Sequence, residues 1–209
     1  MVVDNQGLPV ADEGLVIYGN SQYNYYGGIS NQFTYRNISL SFRFDFRQGG
    51  IMYSRTKDIT LWAGTVPATL YNDREPFIIP NSVVETGTDE NGDPLYEVNT
   101  KPIDRIHLIE YWGNGGSQLD GASLIPKSFV KLREVVLSYS FPAKYFEKVP
   151  VSRMNLSIAG RNLLLWTPGN QSYIDPELTT FGNDLQADFG EYGAQPSTRS
   201  ISFNLRVIF

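Results

Sequence analysis

The stretch STRSISFNLRVIF (197–209) alternates between apolar and polar side chains. Ile201, Phe203, Leu205, Val207 and Phe209 fall on one side; Ser200, Ser202, Asn204 and Arg206 fall on the other, with Ile208 the exception. A period of two is the signature of a strand with one apolar and one polar face. Chain ends usually fray unless something ties them down, so a regular strand running to an aromatic residue predicts an end that is held. Four other segments share the pattern. NISLSFRFDFR sets Ile38, Leu40, Phe42, Phe44 and Phe46 against Asn37, Ser39, Ser41, Arg43, Asp45 and Arg47. GISNQFTYR (28–36) sets Ile29, Phe33 and Tyr35 against Ser30, Gln32 and Thr34, and the Arg36–Asn37 link predicts a tight hairpin. SFVKLREVVLSYSF (128–141) sets Val135, Leu137, Tyr139 and Phe141 against Glu134, Ser138 and Ser140. SRMNLSIAGRNLLLW sets Met154, Leu156 and Ile158 against Asn155, Ser157, Ala159 and Arg161. No segment shows a sustained helical period, although AKYFEK after Pro142 offers a single turn.

The connections alternate in length. A tight turn near 36 is followed by a long stretch, 49–127, and a short link, 142–150, by a second long stretch, 168–196. All short links therefore fall at one end of the strands. Structureless loops beyond about 12–15 residues are uncommon in soluble domains, whereas outer-membrane barrels pair short periplasmic turns with long extracellular loops. The strand lengths suit the about 9–11 residues that a tilted membrane crossing needs. Tyr35, Tyr139 and Phe141 lie near the short-turn ends, where an aromatic girdle belongs. The expectation is an all-β chain, an antiparallel transmembrane β-barrel segment with long extracellular loops. Its strands fall near 28–36, 37–48, 128–141, 151–167 and 197–209, with loops 49–127 and 168–196 outside the cell. The alternative is a soluble β-sandwich that binds carbohydrate, with the apolar face as its core.

Within the first long stretch, VVETGTDENGDPLYEV reads as a hairpin around Asn91–Gly92. Its acidic residues do not have the spacing of a calcium loop, and turn chemistry accounts for them. Composition adds limits. The 13 Tyr, 12 Phe, 19 Gly and 12 Pro suit strands joined by many turns. Cysteine is absent, which excludes disulfides and thiolate metal sites. The first residues, MVVDNQGLPVADEG, lack the basic and apolar regions of a signal peptide, which leaves a cytosolic protein or a piece of something longer. A formal charge of −5 argues against nucleic acid as a partner. That charge is localised: residues 168–196 hold Asp175, Glu177, Asp184, Asp188 and Glu191 with no Lys or Arg.

Five blocks in series then carry a resemblance: NQFTYRNISLSFRFDFRQGG, EPFIIPNSVVETG, SFVKLREVVLSYSFP, AGRNLLLW followed by DPEL, and the closing strand ending in Phe. Over residues 14–209 their order and spacing resemble the C-terminal part of SusC/RagA-type TonB-linked outer-membrane transporters. The resemblance implies a 22-stranded barrel with a plugged lumen, of which this chain supplies only the last strands. The plug domain and the segment that contacts TonB then lie outside the 209 residues, and Met1 marks an artificial boundary or a mis-segmented reading frame. It further implies uptake of glycan or peptide fragments across the bacterial outer membrane. A SusD-like surface lipoprotein serves as lid, the TonB complex supplies energy, and outer-membrane lipid surrounds the strands. Phe209 resembles the signal read by the barrel-assembly machinery.

Catalytic constellations are poor, and an enzyme is not expected. His107 reads as a packing histidine. There is no G-x-S-x-G, H-E-x-x-H or P-loop, and GNGG (113–116) lacks the strand-before, helix-after context of a phosphate cradle. Asp175 and Glu177 offer no evidence of the separation that glycoside hydrolysis needs. No cofactor or metal is called for. On the barrel reading Arg43, Asp45, Arg47, Asn204 and Arg206 face the lumen, lining the transport route or holding a plug. Tyr173, Phe181, Phe189 and Tyr192 in the second long loop stack on sugar rings, meet a partner or pack within the loop.

Overall fold

The computed structural model describes every residue except 12, 13, 119, 171–173, 179 and 181–187, and the backbone alone for 114–118, 120 and 170. Strands β1 (Val2–Val3), β2 (Tyr25–Tyr35), β3 (Ile38–Gln48) and β4 (Ile51–Ser54) lead to helix α1 (Arg55–Trp62). Strands β5 (Val83–Thr88) and β6 (Pro94–Val98) precede helix α2 (Arg105–Gln118). Next come β7 (Leu124–Pro126), β8 (Phe129–Ser140), β9 (Arg153–Trp166), β10 (Gly190–Glu191) and β11 (Ser200–Ile208). The chain divides into two compact units, one of residues 1–19, 53–125 and 189–193, the other of residues 20–52, 126–188 and 194–209.

The second unit is built on a five-stranded sheet in the order β11-β9-β8-β3-β2, every pair antiparallel. Strands β2 and β3 form a hairpin whose turn bends at Arg36, φ 52°. At the far end of β3, Gly49 and Gly50 take φ of 88° and 79°, which side chains rarely tolerate, and so turn the chain out of the sheet. The β3–β8 register slips between Arg43 and Phe44, and the β8–β9 register slips between Leu132 and Glu134. Both slips skip Arg133. A bulge of this kind leaves one residue unpaired and re-aims its neighbours. It reverses the parity of β8: Lys131 shares a face with Glu134 rather than with Val135. Ala143–Tyr145, inside AKYFEK, is a 3-10 turn.

The first unit holds a small sheet in the order β1-β5-β6, in which β5 and β6 are an antiparallel hairpin. Its turn is tied by Asp89, whose Oδ1 accepts the backbone N–H of Asn91 (2.8 Å) and Asp93 (2.9 Å). These backbone hydrogen bonds hold the Asp89 carboxyl below its ordinary pKa. The core is a cluster of Val3, Leu8, Phe77, Ile79, Ile103 and Leu108, with Val84 and Tyr111 against it. The two helices differ from the strand-only expectation. Helix α1 buries Asp58 and Leu61 rather than an apolar stripe, so no helical period marks it. It starts instead from polar contacts: Ser54 Oγ accepts from Lys57 N (3.0 Å), and the buried Glu191 carboxylate accepts from Thr56 N (2.9 Å), Thr56 Oγ1 (2.8 Å) and Ser54 Oγ (2.6 Å). Both are stabilising at a helix N-terminus, where N–H groups are unpaired and the dipole is positive. Among the described residues no helix is long and apolar enough to cross a membrane, which says nothing of strands.

Candidate functional site on the polar face of the five-stranded sheet

Register across the five strands sorts their side chains into rows. Phe33, Leu40, Leu137, Ile158 and Phe203 stand side by side on one face, as do Tyr35, Ile38, Tyr139, Leu156 and Leu205. This apolar face is open: Phe203 is 74% exposed, Leu205 60% and Phe33 57%. The opposite face carries rows such as Thr34, Ser39, Ser138, Ser157 and Asn204, and Ser30, Arg43, Glu134, Arg161 and Ser200. In the second row the charges alternate, and Arg161 Nε lies 3.7 Å from Glu134 Oε2.

Beyond that row, near the start of β8, the polar face becomes an ion network. Lys131, 2% exposed, reaches Asp175, Glu177 Oε2 (2.9 Å) and Ser197 Oγ (3.0 Å). Arg133, the bulged residue, clasps Glu177 with both terminal nitrogens, Nη1 to Oε2 at 2.6 Å, and donates from Nε to Asp45 Oδ2 at 2.7 Å. Arg47 lies 3.6 Å from Glu177 Oε1, Arg43 donates to Asp45 Oδ1 at 3.3 Å, and the Ser197 hydroxyl donates to Asp175. Pro176 fixes the bend between the two carboxylates, and Glu177 N closes it by donating to Asp175 Oδ1 (3.2 Å). Lys131, Arg133, Arg47 and Arg43 thus face Asp45, Asp175 and Glu177, four cations to three carboxylates. Burial would raise the Glu177 carboxyl, but hydrogen bonds from Arg133 and Lys131 outweigh it and bring its pKa down to about 2.

A smaller cluster sits beside it. Lys127 Nζ donates to the carbonyls of Ser21 (3.0 Å) and Asp188 (3.2 Å) and to Asp188 Oδ1 (3.4 Å). The same ammonium lies 4.6 Å from the centre of the Tyr23 ring, over which Arg47 also stacks at 5.1 Å. A hydrogen bond from Gln22 (2.9 Å), helped by Lys127, holds the Asp188 carboxyl below its ordinary pKa against the opposing effect of burial.

No family model matches the chain. TonB-dependent receptor P26 of Formosa agariphila is 24% identical over 203 residues, which cover 96% of this chain. TonB-dependent receptor P39 of the same organism is 26% identical over 194 residues, 92% of this chain. Among solved structures, the RagAB peptide importer in its closed-closed state covers 91% of the chain at a TM-score of 0.57 and 18% identity. The RagAB peptide transporter covers 91% at 0.55 and 17% identity. The chain resembles SusC/RagA-type TonB-dependent receptors. It spans 18% and 17% of the length of the two curated relatives, and 18% of each RagAB chain. Proteins of this kind are bacterial outer-membrane transporters, and the bacterial outer membrane is this chain's location. The relatives are named as receptors and transporters rather than as enzymes.

The residues singled out from sequence are distributed unevenly in this receptor-like chain. Arg43, Asp45 and Arg47 are members of the ion network or its margin. Asn204 and Arg206 share the polar face but stand toward its opposite end, opposite Ser157 and Asn155. Phe209 follows β11 directly and is 83% exposed. Of the loop aromatics, Tyr173 and Phe181 lie outside the described residues. Phe189 and Tyr192 belong to the first unit, where Tyr192 stacks on Tyr53 at 5.9 Å. His107 lies on α2, its Nδ1 buried and without a hydrogen-bond partner among the described residues. Sequence reading missed Lys131 and Arg133, because alternation counted back from Val135 places them on the apolar face. The available signal was the break itself: KLRE puts two cations where a lipid-type face calls for apolar residues. Asp175 and Glu177, weighed as a hydrolase pair, are the counter-ions of those cations.

Proposed function

We propose that the chain supplies the last strands of the barrel of a TonB-linked nutrient importer that takes up glycan or peptide fragments. The observation that carries this reading is the sheet's polarity. Its strands run 11, 11, 12, 14 and 9 residues, long enough for a tilted crossing at about 9–11 residues. One face is apolar and open, and the other is polar, with Arg43, Arg47, Lys131, Arg133 and Arg161 paired with carboxylates. Leaving that apolar face in water forfeits about 25 cal/mol per Å²; lipid removes the cost. A soluble sandwich would require a second sheet over the same face, and the exposure of Phe203, Leu205 and Phe33 speaks against it.

On this reading Arg43, Asp45, Arg47, Asn204 and Arg206 line the lumen, and Phe209 ends the strand as the label for the barrel-assembly machinery. The residues 49–127 and 168–196 face outward toward a SusD-like lipoprotein. The links near 36 and 142–150 face the periplasm, and TonB engages a part of the receptor outside these residues. The absence of cysteine makes topology testable. Glu90→Cys, in the tip of the β5–β6 hairpin, should react with an impermeant maleimide on intact cells, whereas Glu147→Cys should react only after the outer membrane is opened. Labelling of position 147 alone on intact cells would reverse the orientation.

A further inference from the structure

The two rims of the apolar face are built differently. At the short-turn end, Tyr35, Ile38, Tyr139, Leu156 and Leu205 fill one row with large side chains, and Tyr139 meets Phe141 edge-on at 4.9 Å. At the long-loop end the row is Gly27, Phe46, Val130 and Trp166. Gly27 has no side chain, and Phe46 leans over it: a Cβ at position 27 would lie 2.8 Å from Phe46 Cζ. The Phe46 ring also meets Tyr25 edge-on at 6.4 Å. Trp166 packs instead against Phe44, 6.4 Å away in the neighbouring row. Both large side chains are thus engaged elsewhere, and Val130 between them is 42% exposed. The slot left over Val130 is a cavity of about 390 Å³, with Gln48, Thr167 and Pro168 also in its lining.

We propose that this slot is a lipid site, holding one acyl chain of an outer-leaflet lipid at a fixed place on the receptor. The inference rests on the barrel reading given above, which sets the long-loop end of the apolar face in the outer leaflet. The bacterial outer membrane is the chain's location, so lipid is the occupant at hand. Charge excludes a head group: Arg47, the charged residue in the lining, is held by Glu177 and stacked over Tyr23. Polarity excludes a sugar or peptide, whose hydroxyl or amide groups would be buried unpaired against Phe46 and Val130. Size fits one chain. A cavity of about 150 Å³ holds benzene, so about 390 Å³ takes roughly 15 carbons by the same measure. Gln48 and Thr167 carry polar groups at the level where the ester linkage would lie. An aromatic belt makes a different demand, because it sets rings at both interfaces and selects no particular chain.

The test places the full-length receptor in phosphatidylethanolamine vesicles doped with the same lipid carrying a diazirine near the ester end of its chain. Light releases dinitrogen, and the resulting carbene inserts into the C–H bonds it touches. Peptide mass spectrometry should find Phe46, Val130 and Trp166 labelled several-fold more than Tyr139, Leu156 and Leu205, which lie at the mirror depth in the other leaflet. Val130→Trp fills the slot while keeping the face apolar, and should bring Phe46 down to the level of the opposite rim. Trp166→Leu removes a wall and should do the same, so the test holds if one variant fails to assemble. Equal labelling of the two rims, or an excess that both variants leave unchanged, would overturn the proposal in favour of an ordinary belt. A slot shielded from the probe while the opposite rim is labelled would overturn it too, and would point to a polypeptide covering the slot. The same data separate the two readings. Label on the apolar face without an excess in the slot removes the site and leaves the barrel standing; no label at either rim removes both.

Discussion

The two units of this chain treat apolar side chains in opposite ways. In the first, Val3, Phe77, Ile79 and Ile103 are buried together, and residues such as Glu85 and Glu97 are left to solvent. In the second, the aliphatic and aromatic rows are exposed, while the buried side chains include Lys131 of β8 and its loop partner Asp175. Both units obey the same rule of separating polar from apolar surface. On the barrel reading proposed above, the difference lies in what each meets outside itself. A unit that meets water hides its hydrocarbon; a sheet that meets lipid on one face and water on the other can leave hydrocarbon bare and must neutralise charge where it folds on itself. A network such as Lys131–Asp175–Glu177–Arg133 is costly to assemble, because its members lose hydration. Its hydrogen bonds saturate every carboxylate, and they fix which loop covers which part of the face.

Truncations should show the contrast most strongly. Phe77→Ala in the first unit should cost about 3–5 kcal/mol as a cavity in a packed core. Lys131→Met in the second should cost a similar 3–5 kcal/mol for a different reason, since it leaves Asp175 buried without its cation. Adding Asp175→Leu to Lys131→Met should recover part of the loss, whereas no polar change should rescue Phe77→Ala; denaturant unfolding of the receptor measures both. Equal behaviour of the two sites would mean that the network is merely solvated.

A smaller effect distinguishes the two faces of β11. Leu205→Arg should cost about 2–4 kcal/mol when folding is measured into a bilayer, because it sets a charge against the hydrocarbon. Asn204→Arg, one residue away on the polar face, should assemble at near wild-type levels. If Leu205→Arg is as well tolerated in lipid as its neighbour, the open apolar face does not meet the membrane.

The smallest expected effect is on pH. Glu177 titrates at about 2 in the folded chain against an ordinary 4.5. A depressed carboxyl stabilises the fold above its unfolded pKa and loses that contribution as pH falls toward the folded one. Wild type should therefore be more stable than Glu177→Gln at pH 7, and the gap should shrink steadily between about 4.5 and 2. A gap independent of pH would show that the hydrogen-bond geometry of Glu177, rather than its charge, holds the loop.

Much of this was legible along the chain, and the illegible parts share a cause. Strands β3 and β11 could be read from alternation because each side chain's face depends only on its own position in a pleated strand. The β2–β3 turn and the β5–β6 hairpin were equally local, set by Arg36–Asn37 and by Asn91–Gly92. Helix α1 escaped because its start is fixed by Glu191, 135 residues from Thr56, and not by an apolar stripe of its own. The ion network escaped for the same reason. Alternation shows that β8 is a strand, but the bulge at Arg133 is defined only by the partners β3 and β9, which pair around it. The pairing of Lys131 with Asp175 spans 44 positions. Sequence by itself determined which residues can form strands and which faces they present, because those are short-range properties of the backbone. The tertiary structure alone decided which acids meet which bases and where the pleat is broken, because charge pairing depends on proximity in space rather than along the chain.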